Sequence, residues 1–209
     1  RPLGAPDEPS FQRRVLLSCL ELLERKSGPV LEDFPDDAPG DDPDQEGWTC
    51  PVNFAVPVDD LSDEDLIRQT LEQEIALLRP WYEESKQNRS GRTNFGISGT
   101  TPEQIAAYIA HVIVSQEDSV SPIADTPAHL AFKHMADDIR YYYMEAAIAR
   151  PDTRVSDLEI GNWLWGETTL GKALVTIRDW SMETEHPGFK ALAPTAMVPA
   201  HQKHRTKHG

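Results

Sequence analysis

One cysteine lies in a sequence context that suits redox or nucleophilic chemistry. Cys50 belongs to the segment Trp48-Thr49-Cys50-Pro51, which directly follows an acidic stretch rich in proline and glycine. The proline after Cys50 favours an extended or turn conformation there, so the thiol can be held at a surface or an interface. Lone cysteines in soluble proteins are more often buried as small apolar residues. The alternative is therefore that Cys50 packs, half-buried, beside Trp48.

A reactive thiol needs a lowered pKa, which a cation, a histidine or a helix N-terminus can provide. Cys50 has no cation nearby in the sequence. Any activating group must therefore come through space, either from another chain or from a distant part of this one. The candidates within this chain are Arg89, Arg92, His111, His129 and His134.

Residues 89–101 form a segment rich in glycine and hydroxyl side chains that could bind an anion. The segment contains three glycines and two arginines, and it ends where a helix is predicted to start, with Thr101 as N-cap and Pro102 at the first position. Such a loop can present backbone N–H groups to an anion. It lacks the ending of a P-loop and the spacing of a dinucleotide-binding loop. A structural turn or a short strand is the alternative.

Two histidines and an aspartate could contribute to a metal site. His134 and Asp138 are four residues apart on a predicted helix, so they share a face, and His129 lies five residues before His134. Imidazole and carboxylate groups are common zinc ligands. Further ligands would have to be distant in sequence, for example His111 or Glu145. The alternative is that these are polar residues with ordinary pairing.

Glu167 follows the unusually aromatic run Trp163-Leu164-Trp165-Gly166. Apolar surroundings raise the pKa of a carboxyl group, which would let Glu167 serve as an acid. The alternative is that it caps or pairs at a packed helix start. No nucleophile elbow is present in the sequence, so no Ser-His-Asp arrangement is predicted.

Apolar residues recur at helical spacing in five segments. We predict helices over residues 11–26, 62–87, 102–115, 126–149 and 157–184. Cys19 falls within the apolar stripe of the first helix and is predicted to lie in the core. Pro80 is predicted to kink the second helix or to start a new one, and Gly161 or Gly166 to break the last.

The predicted fold class is mainly α: an irregular helical domain with an extended, acidic, proline-rich arm and an extended C-terminal tail. We assign residues 1–27 to an N-terminal helix, 28–60 to the arm that carries Cys50, 61–184 to the helical domain and 185–209 to the tail. The arm contains six prolines and many acidic residues, so it cannot bury enough apolar surface to fold by itself. We expect it to be pinned on another surface.

The 209-residue chain has a formal net charge of -15, so nucleic acid and anionic membranes are unfavourable partners. No apolar run approaches the ~20 residues of a membrane-spanning helix. Two cysteines are too few for a disulfide framework, which favours a reducing cytoplasm. The chain begins at Arg1 rather than Met, and we expect a fragment or a processed subunit.

Several segments together resemble the later part of the bacterial proteins named after selenoprotein B of the glycine, sarcosine, betaine and D-proline reductases, in their cysteine-containing branch. The resemblance spans most of the chain. The segments that carry it are Arg1-Pro2-Leu3-Gly4, Phe11-Gln12-Arg13-Arg14-Val15-Leu16, Gly28-Pro29-Val30-Leu31-Glu32-Asp33-Phe34-Pro35, Trp48-Thr49-Cys50-Pro51-Val52, Leu78-Arg79-Pro80-Trp81-Tyr82 and Trp163-Leu164-Trp165-Gly166-Glu167-Thr168.

The resemblance implies a reductase that cleaves a C–N bond with a selenocysteine or a thiol, together with partner subunits and a thiol reductant. Carried over to this chain, Cys50 is the candidate redox residue. The sequence contains no selenocysteine and no Cys-x-x-Cys pair. The family's α/β part, which would precede Arg1, is not in this sequence, so another polypeptide would have to complete a site.

Three functional hypotheses follow. The first is a subunit or C-terminal portion of such a reductase, with Cys50 at an interface with an α/β partner chain. Arg89, Arg92 and the loop around Ser98 would then hold the carboxylate of a small amino-acid-like substrate, which arginine can bind with two parallel hydrogen bonds. The second is a non-catalytic assembly subunit that wraps a catalytic partner. The third is a metal-dependent enzyme that uses His129, His134 and Asp138. The residues identify no cofactor.

Overall fold

Helices account for every regular element in the part of the chain that the structure describes, which confirms the mainly α fold class. The computed structural model describes residues 8–30, 32–36, 61–116, 121–149 and 155–207. Cys50 and most of the predicted arm lie outside these ranges. The chain divides into two units, Arg1–Gly47 and Trp48–Gly209. No helix in the described ranges has the combination of length and apolar character that crossing a membrane requires.

The first unit contains helix α1 (Pro9–Glu21), which continues into a short 3-10 helix (Leu22–Glu24). Phe11 and Val15 are its buried residues, and the Phe11 ring meets the edge of the Phe34 ring with centroids 5.8 Å apart. Cys19 is exposed, so the prediction that it lies in the core is wrong. The buried stripe of α1 is narrower than the apolar pattern indicates.

The second unit consists of helices that share one hydrophobic core. Within it, α2 packs against α3 and α4, and α6 packs against α2 and α3. The helices are α2 (Glu64–Asn88), α3 (Pro102–Ser115), α4 (Ala128–Ala147), α5 (Asp157–Glu167), α6 (Thr169–Glu183), α7 (Pro187–Leu192) and a 3-10 helix (Ala200–Arg205).

Short polar side chains determine where several of these helices begin. Thr101 caps α3 as predicted, with Gln104 completing a capping box. At α2 the cap is Asp63, whose carboxylate accepts a hydrogen bond from the Leu66 amide at 3.1 Å. The α2 helix continues through Pro80, and no new helix starts there. Buried side chains on both sides of Pro80 offset its cost, which is about 3 kcal/mol.

The predicted fifth helix is two helices, and the break falls at Thr168 and not at Gly161 or Gly166. Thr168 ends α5 and caps α6: its hydroxyl donates to the Leu164 carbonyl at 2.7 Å and accepts from the Gly171 amide at 2.9 Å. One buried hydroxyl therefore satisfies a group at each helix end.

The segment predicted to be an extended tail contains two short helices. The His186 ring caps α7 by accepting hydrogen bonds from the Gly188 and Phe189 amides through its Nδ1 atom, and Phe189 is fully buried. Further along, the buried Gln202 donates to the Asn162 side chain of α5 at 3.1 Å. Phe189 and Gln202 are single buried residues that hold this segment in place. Because no repeat of apolar residues surrounds them, hydrophobic periodicity could not predict these helices.

Gly171→Ala should strongly destabilise the protein. A Cβ atom at this position would lie 2.1 Å from the Leu164 carbonyl oxygen and 2.7 Å from the Trp165 Cα atom, and backbone atoms cannot move aside cheaply. We expect the free energy of unfolding to fall by about 3 kcal/mol in urea titrations. Gly161→Ala is the matched control, because its nearest neighbour is a side-chain atom of His201 at 3.2 Å. Equal stability of the two variants would contradict this packing.

Candidate functional site

The loop between α2 and α3 folds over a buried carboxylate of α4. Asp138 is fully buried, and its two oxygens accept four hydrogen bonds from the loop. The amides of Gly96, Ile97 and Ser98 donate at 2.9, 3.0 and 2.8 Å, and the Ser98 hydroxyl donates at 2.6 Å. The loop thus presents backbone N–H groups to an anion, as its composition indicates, and that anion is a side chain of the same chain.

Glu145, seven residues further along α4, binds the preceding part of the loop. Its carboxylate accepts from the Thr93 hydroxyl at 2.7 Å, from the Asn94 amide at 2.8 Å and from the Asn94 side chain at 3.2 Å. The Arg89 guanidinium lies 2.5 Å from the same carboxylate. Glu145 is buried, so this ion pair is shielded from solvent on the carboxylate side.

Thr93 links this cluster to the aromatic part of the core. Its hydroxyl proton goes to Glu145, so the Tyr82 hydroxyl, 2.9 Å away, must be the donor in the contact between them. The Phe95 amide also donates to the Thr93 oxygen at 3.0 Å. The Tyr82 ring in turn contacts the rings of Phe95 and Tyr142.

Burying a carboxylate is costly unless its oxygens are hydrogen-bonded, and here the oxygens of both Asp138 and Glu145 accept hydrogen bonds.

The three residues predicted to bind a substrate have different surroundings. Arg89 is half-buried and forms an ion pair with Glu145. Ser98 is buried, and its hydroxyl donates a hydrogen bond to Asp138. Arg92 is exposed, its Nε atom donates to the Arg89 carbonyl at 3.1 Å, and it forms no ion pair within the described residues. An anionic substrate would have to displace a buried carboxylate to use Arg89 or Ser98.

The residues of the predicted metal site are not gathered around a common centre. Within the described ranges, no three histidine, cysteine, aspartate or glutamate side chains are grouped as metal ligands would be. The Asp138 oxygens are occupied by the loop. The His129 ring instead packs near the rings of His186 and Phe189, at centroid distances of 5.7 and 6.4 Å. His134 is half-buried on α4.

Glu167, the predicted acid, is exposed at the last position of α5. A different glutamate has the buried environment that was expected for it. Glu74 of α2 is 3% exposed and lies at the N-terminus of α6, where it accepts from the Thr169 amide at 2.7 Å and from the Leu170 amide at 3.4 Å. The Tyr143 hydroxyl donates to it at 2.9 Å.

Burial raises the pKa of Glu74, and the hydrogen bonds from Thr169 and Tyr143 only partly oppose this effect. Burial likewise raises the pKa of Tyr143, so its phenol remains protonated and keeps donating to Glu74. The two residues form a buried acid pair that connects α2, α4 and α6. Sequence reasoning missed Glu74, although its place among Leu71, Ile75 and Leu78 in the apolar stripe of α2 was a usable signal.

A small apolar cleft lies elsewhere in the same unit. Its volume is about 10 Å³, which leaves room for about one water molecule, whereas ligand sites are usually hundreds of Å³. Its lining residues include Phe132, Lys133, Leu174 and Met197. It is too small for an amino-acid-like substrate.

Comparisons of this chain with protein-family models, with curated proteins and with solved structures gave no match. The resemblance to the selenoprotein B-like reductases therefore stays a prediction.

Asp138→Asn should loosen the loop and destabilise the protein. The variant loses the negative charge to which four groups of the loop donate. In addition, the NH2 group of the new side chain, itself a donor, would face N–H donors of the loop. We expect the free energy of unfolding to fall by about 3 kcal/mol. Asp137→Asn is the matched control, because Asp137 is partly exposed and paired with Lys133 and Arg140, and it should cost less than about 1 kcal/mol. A similar loss in both variants would contradict the special role of Asp138.

Glu74→Gln should remove part of the pH dependence of stability. Because the folded-state pKa of Glu74 is raised, its stabilising contribution is fully present below the unfolded value of about 4.3 and is lost as the pH rises through the folded pKa. Relative to Glu74→Gln, the wild type should therefore lose up to about 1.4 kcal/mol per pH unit in that window. Urea titrations at several pH values measure this slope.

Glu84→Gln provides the control, since Glu84 is exposed on the same helix. It should keep the wild-type slope. An unchanged slope in Glu74→Gln would refute the assignment of the titrating group.

Proposed function

We propose that this chain is the helical portion of a selenoprotein B-like reductase and that the thiol of Cys50 acts at an interface with an α/β partner chain. The reaction class is reductive cleavage of a C–N bond in a small amino-acid-like substrate. Two electrons and two protons, supplied by a thiol reductant, replace the C–N bond with a C–H and an N–H bond. The sequence segments that resemble the family support this proposal.

One structural observation carries the proposal further. In the loop of residues 93–98, the donors that could have held a substrate are committed to Asp138 and Glu145. The proposal therefore does not rest on these donors, and it assigns the reacting group to Cys50, whose thiol has suitable chemistry. Of the two arginines predicted to bind substrate, Arg92 is exposed and forms no ion pair in the described ranges, so it is the one still able to bind a substrate carboxylate.

The closed cluster also favours a second candidate, the non-catalytic assembly subunit. A subunit that only supports a partner needs a rigid, internally satisfied core and no open site. The two candidates differ in the behaviour of Cys50, because only a catalytic subunit needs a reactive thiol.

Cys50 should react with iodoacetamide at pH 7 about ten times faster than Cys19. A thiol with an ordinary pKa of about 8.5 is only a few per cent thiolate at this pH, whereas a catalytic thiol is largely ionised. Cys19 is exposed and provides the reference within the same molecule. Peptide mass spectrometry after timed quenching measures both rates, and a Cys50 rate at or below that of Cys19 would favour the assembly subunit.

Activity tests the reaction itself. The complex purified from its native source should release amine from small N-substituted amino acids in the presence of dithiothreitol. Cys50→Ser should abolish this release and Cys19→Ser should leave it unchanged. Absence of release by the wild-type complex, or equal activity of the two variants, would contradict the reductase proposal.

A further inference from the structure

Helix α1 carries apolar residues on two opposite sides. Phe11 and Val15 are buried, whereas four leucines on the other side are exposed. Their exposed fractions are 54% for Leu16, 47% for Leu17, 59% for Leu20 and 80% for Leu23. A helix that is apolar on both sides normally lies between two packing surfaces. The Phe34 ring covers part of one side, at Phe11, whereas the four leucines of the other side, here called the leucine face, are exposed.

The leucine face has a charge of opposite sign at each end. Arg13 lies in α1, three residues before Leu16, and Glu24 ends the 3-10 helix that follows α1, directly after Leu23. Both are exposed, and neither forms an ion pair within the described part of the chain. The neighbouring arginines differ, because Arg14 is paired with Asp36 at 3.0 Å and Arg25 with Glu32 at 2.8 Å. Arg13 and Glu24 are therefore able to pair with charges on another surface.

This arrangement of leucines and charges is complementary to the same arrangement on a second copy that runs in the opposite direction. In an antiparallel pair centred between residues 18 and 19, Leu17 of one copy lies opposite Leu20 of the other. Arg13 of each copy then lies opposite Glu24 of the other copy. A parallel pair would instead place Arg13 against Arg13 and Glu24 against Glu24. Closed two-fold pairing through one self-complementary patch is the commonest way in which soluble proteins associate.

We propose that the leucine face of α1 docks on the same face of a second copy of this chain, in antiparallel orientation. The proposal concerns self-association and does not depend on the reductase assignment. One short helix from each copy buries less than the roughly 800 Å² per partner of a standard interface. The dimer is therefore weak, and the fraction of chains in the dimer rises with protein concentration.

Sedimentation velocity of the full chain over an approximately hundredfold concentration range tests the proposal, since a weak dimer dissociates by mass action. The mass should rise from that of the 23.4 kDa monomer towards twice this value. Leu20→Ser should keep the protein monomeric throughout the range. Leu158→Ser is the matched control, because Leu158 of α5 is also 59% exposed, and this variant should dimerise like the wild type. Circular dichroism checks that both variants are folded.

Charge exchange tests the orientation. Arg13→Glu and Glu24→Arg should each weaken the dimer, and the double variant should restore it, because the opposite charges again face each other. In the Cys50→Ser background, a short bismaleimide should join two chains through Cys19, which flanks the leucine face near the centre of the pair.

Three outcomes would overturn the proposal. A monomer at all concentrations would mean that no second copy covers the leucines. Dimerisation that survives Leu20→Ser would place the contact elsewhere. A stoichiometric complex of the natively purified chain with a different protein, lost in Leu20→Ser, would identify a partner other than a second copy.

Discussion

A carboxylate buried in a helical core must have its oxygens hydrogen-bonded, and this requirement determines how the central loop of the protein is held. Asp138 and Glu145 lie one above the other on the buried face of α4. Neither could remain there without donors, and the loop between α2 and α3 supplies them through its amides and hydroxyls, while Arg89 adds an ion pair with Glu145. The loop has no strand or helix of its own, so these bonds replace regular secondary structure. Glu74 follows the same rule, because the amides at the start of α6 satisfy it.

This constraint also restricts where chemistry can occur. A loop whose donors already hold internal carboxylates cannot bind a substrate anion without losing part of its own support. The polar groups that remain accessible, such as Arg92, lie at the edge of the cluster. The proposed function therefore rests on Cys50 and a partner chain and not on the donors of this loop. The exposed leucines of α1 are a separate feature, since their chemistry suits association and not catalysis.

Local chemistry predicted some elements well, and long-range pairing explains the failures. Thr101 and Pro102 specify the start of α3 by themselves, so this boundary could be predicted. The break between α5 and α6 depends on one hydroxyl that serves two helix ends, and glycine content pointed to the wrong residues. The composition of the loop indicated that its amides could face an anion, with a structural turn as the alternative. It could not indicate that the anion is Asp138, about forty residues away, because only the packing of α4 brings the two together.

Hydrogen exchange of the loop amides tests the role of the buried carboxylates most directly. The amides of Asn94, Gly96, Ile97 and Ser98 each donate to Asp138 or Glu145, although Asn94, Gly96 and Ile97 belong to exposed residues. They should exchange as slowly as amides of the neighbouring helices, and the Gly96, Ile97 and Ser98 amides should lose this protection in Asp138→Asn. Exchange of these amides in the wild type at the rate of an unstructured loop would contradict the account.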